Sequence, residues 1–564
     1  MTMLKKLPEE VLNLWNNWEI RGMVLLSLLL QTILIIFGSQ RKTTARIWIR
    51  ILVWSAYLSA DAVATFALSN LARSQGDSSD FRCSCHHTRI PVIPRQDLQR
   101  DHLPQAQDQR DYLPQAYNFL DISKFMMQDL APGIPSLINS QRLISKYSAG
   151  GAFKMVEAEL GLIYDMLYTK APLIYSRSGI ILRCISSLLY VTAFITFQVK
   201  IDKHDYSTTD IAITYLLFAA AVFLEFYAFL CLILSDWTMI WLIDEGGNAL
   251  TNAIYSLIRK LTRSKRWSRS ISQYNLISYS FESEPSKCFE LLGIDEMMRQ
   301  LHVNRKDLNG ELQGLIFEHL REKSKKMKDD LNFFDKNDRS KIISQRGDGV
   351  LEREGLLLDF KWCTTEVEFS RSILVWHLAT EFCYIVDKER SSVSTKYETS
   401  ICLSEYMMYL LVIRPNMLSE TLRDLQDLKQ RRDEEYQSTL RQLWGLTQTL
   451  PNSESHDEFQ RRWKTETSVL RGVERLARQL LLLESEKRLK MIKEVWIEMV
   501  AYAAAHCSWK EHAHQLRRGG ELLTHVSLLM LHLGLSEQYD INGLDSRIIL
   551  ELTRVSILKS FSST

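Results

Sequence analysis

His377 and Glu381 stand four residues apart in WHLATEFCY (Trp376–Tyr384), with Cys383 just beyond them. On a helix that spacing puts an imidazole and a carboxylate on one face. They could be two ligands of a metal ion or a hydrogen-bonded pair inside a buried helix. A metal needs three or four converging ligands, and Cys383 points off the His377/Glu381 face. The densest cluster comes later, in AHCSWKEHAHQL (Ala505–Leu516), with His506, Cys507, His512 and His514, followed by His525 and His532. The spacing matches no zinc pattern, and His512 and His514 fall on different sides of a helix. A metal site there would need a break in the helix, whereas packing through Trp496, Tyr502 and Cys507 needs none. A third set is Asp61, Arg183 and Glu225, which lie within long apolar runs. An ionised group in such a run is costly, so it marks a polar pathway or a neutralising partner. Asp61 and Glu225 could line a transport route, or Glu225 could be held by a partner such as Arg183.

Those three residues belong to runs with the length of membrane spans. Gly22–Ser39 holds 18 residues without a charge, close to the minimum needed to cross hydrocarbon. Ile51–Ala72 carries only Asp61, Ser178–Val199 only Arg183, and Ile211–Ser235 only Glu225. Arg183 is near enough to its end to snorkel. Trp18 and Trp48 flank the first run, and Trp237 and Trp241 follow the fourth, where indoles settle at the headgroup level. Met1–Arg21 carries Glu9, Glu10 and Glu19, and no small-residue cleavage site follows soon after the first run. That run therefore reads as a retained anchor rather than a signal peptide.

Charge sets the orientation. Arg41, Lys42, Arg46 and Arg50 make the first loop basic, and Arg259, Lys260, Arg263, Lys265, Arg266 and Arg269 do the same after the fourth run. Both loops cannot be cytoplasmic if three spans separate them, so one span is missing or one is miscounted, and the conflict points to the interval between the second and third runs. In that interval QRDHLPQA (Gln99–Ala106) returns as QRDYLPQA (Gln109–Ala116). Two copies do not make a solenoid, and their prolines and charges forbid a span. Residues 77–150 read as a polar, largely disordered insert or loop.

The bulk numbers agree with a divided chain. Of 564 residues 46% are hydrophobic, and 69 basic residues face 67 acidic ones. A near-zero net charge argues against a dedicated nucleic-acid partner. Nine cysteines, dispersed except for Cys83 and Cys85, read as reduced thiols facing a cytosol. From about Asn248 onward the pattern is charged and helical. RSKRWSRSISQYNLISYSF (Arg263–Phe281) is basic and aromatic, as a segment beside anionic lipid would be, or a solvated loop. Asp335–Gly349 reads as a linker and Val469–Ala505 as one long helical stretch. Arg517–Gly534 reads as a double-glycine turn and then an amphipathic helix ending at Gly534. Phosphate-binding glycine loops, HExxH, GxSxG and the kinase set are absent, which lowers the expectation of an enzyme. Nothing calls for a cofactor.

Five stretches together resemble a large plant family of uncharacterised membrane proteins. These are proteins with a domain of unknown function of the four-two-two-zero type and a C-terminal domain of the five-nine-four type. The stretches are Arg46–Leu71, Val156–Ala171, Ser372–Tyr384, Tyr406–Leu418 and YAAAHCSWKEHAHQLRRGGELLTHVSLLMLHLG (Tyr502–Gly534). The resemblance implies a multi-pass plant membrane protein with a C-terminal helical domain, and it carries no activity, ligand or site residue. It fails over Asp77–Asn118, where family members continue into a Leu- and Trp-rich segment and further membrane helices. Altered splicing, a gene-model error or a lineage-specific loop would each produce that departure.

The expected fold is all-α, with a multi-pass transmembrane N-terminal half and a helical soluble C-terminal domain. Expected divisions are 1–76 with two spans, 77–150 as insert, 151–245 with two more, 246–460 as a helical cytosolic region and 461–564 as the C-terminal domain. The expected partners are a lipid bilayer, plasma or endomembrane, and proteins that bind the cytosolic helices. The expected role is interaction or scaffolding, with a transporter or channel component using Asp61 and Glu225 as the alternative. No biochemical activity is legible.

Overall fold

The computed structural model describes residues 9–38, 40, 47–74, 112–127, 134–169, 171–200, 207–244, 249–261, 269–275, 303–329, 336–390, 394–418 and 468–536. In chain order the first elements are α1 (Glu9–Gly38), α2 (Ile47–Ser74), α3 (Leu113–Met127), α4 (Ile134–Ile144), α5 (Ala149–Tyr168), α6 (Ala171–Ile174), α7 (Arg177–Lys200), α8 (Thr208–Ile233), α9 (Asp236–Asp244) and α10 (Ala249–Leu261). The strands β1 (Ser270–Gln273) and β2 (Asn304–Asp307) follow, then α11 (Gly310–Asp329), α12 (Lys336–Ile343), α13 (Asp348–Arg353), α14 (Leu357–Thr364), α15 (Phe369–Arg390) and α16 (Glu398–Ile413). The last are α17 (Ser468–Leu481), α18 (Ser485–His506), α19 (Trp509–Leu516) and α20 (Leu522–His532). They form two compact units, one from residues 1–114 and 164–266 and the other from 115–163 and 267–564.

In the first unit three helices are long and apolar enough to cross a membrane: Arg21–Gly38, Ser178–Lys200 and Thr208–Ile233. Each lies within a turn of an expected span. The remaining expected span, Ile51–Ala72, falls in α2, whose described side chains carry a shorter apolar stretch, Ile51–Ala60. α2 turns Ile49, Val53 and Ala56 inward, one turn apart each, which is the seam it packs against α1. α7 and α8 are antiparallel. Phe197 meets Tyr215, Phe194 meets Phe218, and Tyr175 stacks near Trp237, so partners advance on one helix as they recede on the other. The Ser207 hydroxyl caps α8 by accepting the Asp210 N–H at 3.3 Å. Arg21 grips Asp210 with two bonds of 2.8 and 2.9 Å, which brings the apolar part of α1 and the start of α8 to one level.

The second unit is a helical body built around α18. Its Val495, Trp496, Met499 and Val500 are fully buried, and it packs against α11, α13, α16, α17 and α20. α15 lies between α16 and α17, with Trp376 at its buried centre. The Trp496 indole N–H donates to Thr380 Oγ1 at 3.1 Å, so this buried ring keeps its polar end satisfied.

The body departs from expectation in several places. Within the expected insert, α3 and α4 form at Leu113–Met127 and Ile134–Ile144 and bury Phe119, Leu120, Ile122 and Ile144. Pro114 and Pro135 sit in the first turns of those helices, where a missing N–H costs nothing. The first repeat copy lies outside the described residues, and the second ends inside α3. The expected linker Asp335–Gly349 contains α12, and Ile343 is buried. The stretch Val469–Ala505 is two helices. They part at Leu482–Glu484, and Arg488 closes the end of α17 by donating to Leu483 O at 3.0 Å. α20 is buried at every position from Leu522 to His532, so it is a core helix rather than an amphipathic one. It ends at Gly534, φ +81, with Leu535 N donating to Met530 O at 2.8 Å and Gly534 N to Leu531 O at 3.0 Å. That pair of bonds is the glycine-dependent Schellman stop. A two-stranded antiparallel sheet, β1 with β2, was not expected at all.

Gly347 begins α13 at φ +111, and a Cβ there would stand 3.1 Å from Val495 Cγ1. Gly347→Ala is expected to cost the body about 1–3 kcal/mol, from left-handed strain and pressure on α18. A denaturant midpoint equal to that of the parent protein would refute this.

Candidate functional site

Arg183 and Glu225, read separately as charges within apolar runs, meet across the α7–α8 hairpin. Arg183 Nε lies 3.3 Å from Glu225 Oε1, and the Ser187 hydroxyl, one turn along α7, donates to the same oxygen at 3.2 Å. The side chains are 26% and 33% exposed on a hairpin whose exposed side chains are mostly apolar. Chemically this is a neutralised pair, the state in which two opposite charges are least costly in hydrocarbon. Asp61 lies in α2, and its side chain is outside the described residues. Arg183→Leu is expected to destabilise the unit more than the double change Arg183→Leu with Glu225→Leu, because the single change strands a carboxylate among apolar side chains. Thermal unfolding of the full chain in lipid nanodiscs would measure both, and equal losses would refute the pairing.

In the helical body, His377 and Glu381 do share a face of α15. The His377 Nδ1 pairs with Ser404 Oγ of α16 at 2.7 Å, and burial pushes this imidazole down to about 3. Glu381 is buried, and its Oε1 makes no hydrogen bond. Burial pushes its carboxyl up to about 7, with the Glu405 carboxylate adding and Lys306 opposing. Cys383 turns away, toward Asp387 and Arg488, and burial raises its thiol to about 12. Such a thiol is not a nucleophile.

The C-terminal cluster does not converge. His506 Nδ1 bonds Tyr502 O at 2.8 Å, His512 Nδ1 pairs with Thr524 Oγ1 at 3.2 Å, and His514 lies 3.9 Å from Glu511. Cys507 is buried, and burial raises its thiol. Among the described residues no group of three or more His, Cys, Asp or Glu side chains is arranged to hold a metal ion.

What the body does contain is a set of buried charge networks that tie distant helices together. Glu498, on α18, accepts the N–H groups of Gly347 and Val350 at 3.0 and 3.2 Å and faces Lys323 Nζ of α11 at 2.7 Å. Burial alone would raise this carboxyl, but Lys323, foremost among its partners, holds it below the ordinary range. His319 lies 4.0 Å away and is pushed down to about 4 by burial, with Lys323 adding. Asp387 takes Arg488 in a two-pronged bond of 2.6 and 2.8 Å and the Tyr397 hydroxyl at 2.7 Å. His532 Nε2 lies 2.8 Å from Glu159 Oε2, the Ser123 hydroxyl donates to Glu159 Oε1 at 2.5 Å, and Phe119 stacks on the imidazole. The Tyr409 hydroxyl donates to Glu521 at 2.9 Å, while the Tyr406 hydroxyl accepts the Leu523 N–H at 2.9 Å, so α16 holds the start of α20. One signal was available for these networks: a lone Glu498 amid WIEMVAYAAA is a buried charge that demands partners.

Three helices fit to cross a membrane, joined to a helical body closed by internal charge networks, define an all-helical membrane-type protein. The comparison with known families agrees and supplies the particulars. Residues 86–279 match the model of the Domain of unknown function (DUF4220), and residues 482–535 match that of the Protein of unknown function, DUF594. Both matches are to the domains that the resembling stretches implied. The first match spans α3–α10 and β1 and takes in residues 86–118, so the likeness does not fail across the whole of Asp77–Asn118. The second spans α18–α20. No curated protein and no solved structure matches the chain.

Proposed function

We propose that the protein is a multi-pass integral membrane protein whose helical body acts on the cytoplasmic side by binding other proteins. The observation that carries the membrane reading is the α7–α8 hairpin, apolar and outward-facing along both spans and neutralised where it is charged. The orientation follows from chain direction. The Arg21–Asp210 pair sets α1 and α8 running the same way, with α7 against them. The basic residues Arg41, Lys42, Arg46 and Arg50 after α1, and Arg259 and Lys260 after α8, then emerge on one side, which the positive-inside rule makes cytoplasmic. Residues 51–176 must accordingly contain an even number of crossings, so α2 crosses only together with a second segment. This removes the parity conflict. A plant source is part of the same proposal and rests on the family resemblance.

A binding role rather than catalysis is supported by how the ionisable groups are used. Glu498, Asp387 and Glu159 use both carboxylate oxygens to hold helices together. The bilayer and cytosolic proteins are the partners, and nucleic acid is not among them. Single cysteines placed at 203 and 262 of an otherwise cysteine-free chain test the orientation. Position 203 should react with an impermeant maleimide from outside the cell and 262 only after permeabilisation, and labelling of both from one side would sink the proposal.

The second reading, a transporter or channel component, draws on Glu225 and Asp61. Proteoliposome flux that is abolished by Asp61→Asn or Glu225→Gln would favour it over the binding role.

A further inference from the structure

Helix α10 presents an apolar stripe that no described residue of its own unit covers. Leu250, Ile254, Leu257 and Leu261 are 71%, 38%, 59% and 65% exposed. Their spacing of four, three and four residues sets them within a narrow arc of the helix surface. Asn252, Ser256 and Arg259 occupy the far side, Lys260 stands exposed on the flank, and Ile258 is turned into the unit. At 13 residues the helix is too short to span hydrocarbon, yet its polar and apolar faces are cleanly divided.

Its position names the occupant. α8 ends at Ile233, and α9 then carries Trp237, stacked near Tyr175 from the start of α7, and the exposed Trp241. Aromatic rings gathered at the end of a spanning hairpin mark the headgroup level. α10 begins a few residues later, and after it the sequence runs on through Arg263, Lys265 and Arg266. An apolar stripe at that level, flanked by cations, fits the acyl boundary beneath anionic headgroups. We propose that α10 lies along the cytoplasmic surface of the bilayer, with Leu250, Ile254, Leu257 and Leu261 in the acyl boundary and Lys260, on the flank of that stripe, at anionic phospholipid. The inference rests on the reading of α8 as a membrane span. It adds a lipid-recognition surface that senses the charge of the leaflet.

The test uses the full chain in nanodiscs of phosphatidylcholine, with and without phosphatidylserine. A fluorescent amino acid is encoded at Leu257, at Ser256 or, as a reference within α8, at Val222. Lipids brominated on their acyl chains should quench Val222 and Leu257, while aqueous iodide should quench Ser256. Omitting phosphatidylserine, or introducing Lys260→Gln, should weaken the lipid quenching at Leu257 several-fold and leave Val222 unchanged. Iodide quenching at Leu257 with Val222 still in lipid would overturn the inference alone. Protection of Leu257 from both quenchers would overturn it in favour of a protein occupant. Equal quenching in both lipid mixtures would overturn the anionic recognition, and an iodide-accessible Val222 would overturn the span reading together with the inference.

Discussion

Glu498→Ala is expected to cost the helical body about 4 kcal/mol, because breaking a buried pair leaves an uncompensated charge and unmet donors. Glu498 is 1% exposed, and its loss would strand the Lys323 ammonium and the Gly347 and Val350 N–H groups at the start of α13. A domain of this kind has a total stability of about 5–15 kcal/mol, so the variant would sit near its unfolding threshold. Glu498→Gln separates the contributions. Its amide oxygen can still accept the two backbone N–H groups but leaves Lys323 facing a neutral group, so it should cost roughly half as much. Replacing both partners, Glu498→Leu with Lys323→Leu, should recover most of the loss. Chemical unfolding of the full chain in detergent, followed by tryptophan fluorescence, measures all three. A double variant no better than Glu498→Ala would show that the pair is not the source of the stability.

The second large effect is a loss of stability on mild acidification. Burial holds His319, His377, His512 and His525 neutral, at about 4, about 3, about 4 and about 4 against an ordinary 6.5. Below pH 6.5 the unfolded chain takes up protons that the folded body refuses, so stability falls as pH falls until the folded imidazoles titrate near 4. Between pH 6.5 and 5.5 each histidine contributes roughly 1 kcal/mol, or roughly 4 kcal/mol for the four. Glu381 acts in the opposite sense. Raised from 4.5 to about 7, it keeps a proton that the unfolded chain has released, and returns about 1 kcal/mol over the same interval. Glu521, raised by burial, acts in the same direction. Glu498, held low, contributes stability that goes only when the pH drops below the ordinary carboxylate range. The net expectation is a midpoint that falls steeply between pH 6.5 and 5.5 and a slope that flattens in His512→Gln. A midpoint independent of pH over that interval would refute the buried, neutral state of these rings.

The parts of this fold legible in the sequence are those governed by local spacing. Three apolar runs, the i,i+4 placement of His377 and Glu381, the divergence of His512 and His514 and the glycine stop at Gly534 follow from one helix at a time. What was illegible depends on residues brought together from far apart. No spacing rule places Glu159 on His532 or Lys323 on Glu498. The helices α3 and α4 were missed for a different reason. The prolines of the repeat, Pro114 among them, count against a span, although proline in a first turn is also a helix start signal. β1 and β2 are four residues each, and NRKD has none of the alternation that betrays a strand. Arg183 was legible as a partner for Glu225 only because each was the sole charge in its run.

The discontinuity of the helical body sets the order in which the protein can be made. Gln141 bonds Leu533 O across 392 residues, and Glu159 meets His532 across 373. At roughly 5–20 residues per second a ribosome needs about 20–80 seconds between those partners. The apolar hairpin of α7 and α8 emerges in that interval, ahead of every C-terminal helix that α4 and α5 need to complete their buried face. On the proposed membrane reading insertion precedes closure of the body, and Phe119, which stacks on His532, waits uncovered for the last helix. Long-range closure of this kind is slow, and the waiting surface is where a chaperone would bind a nascent or truncated chain.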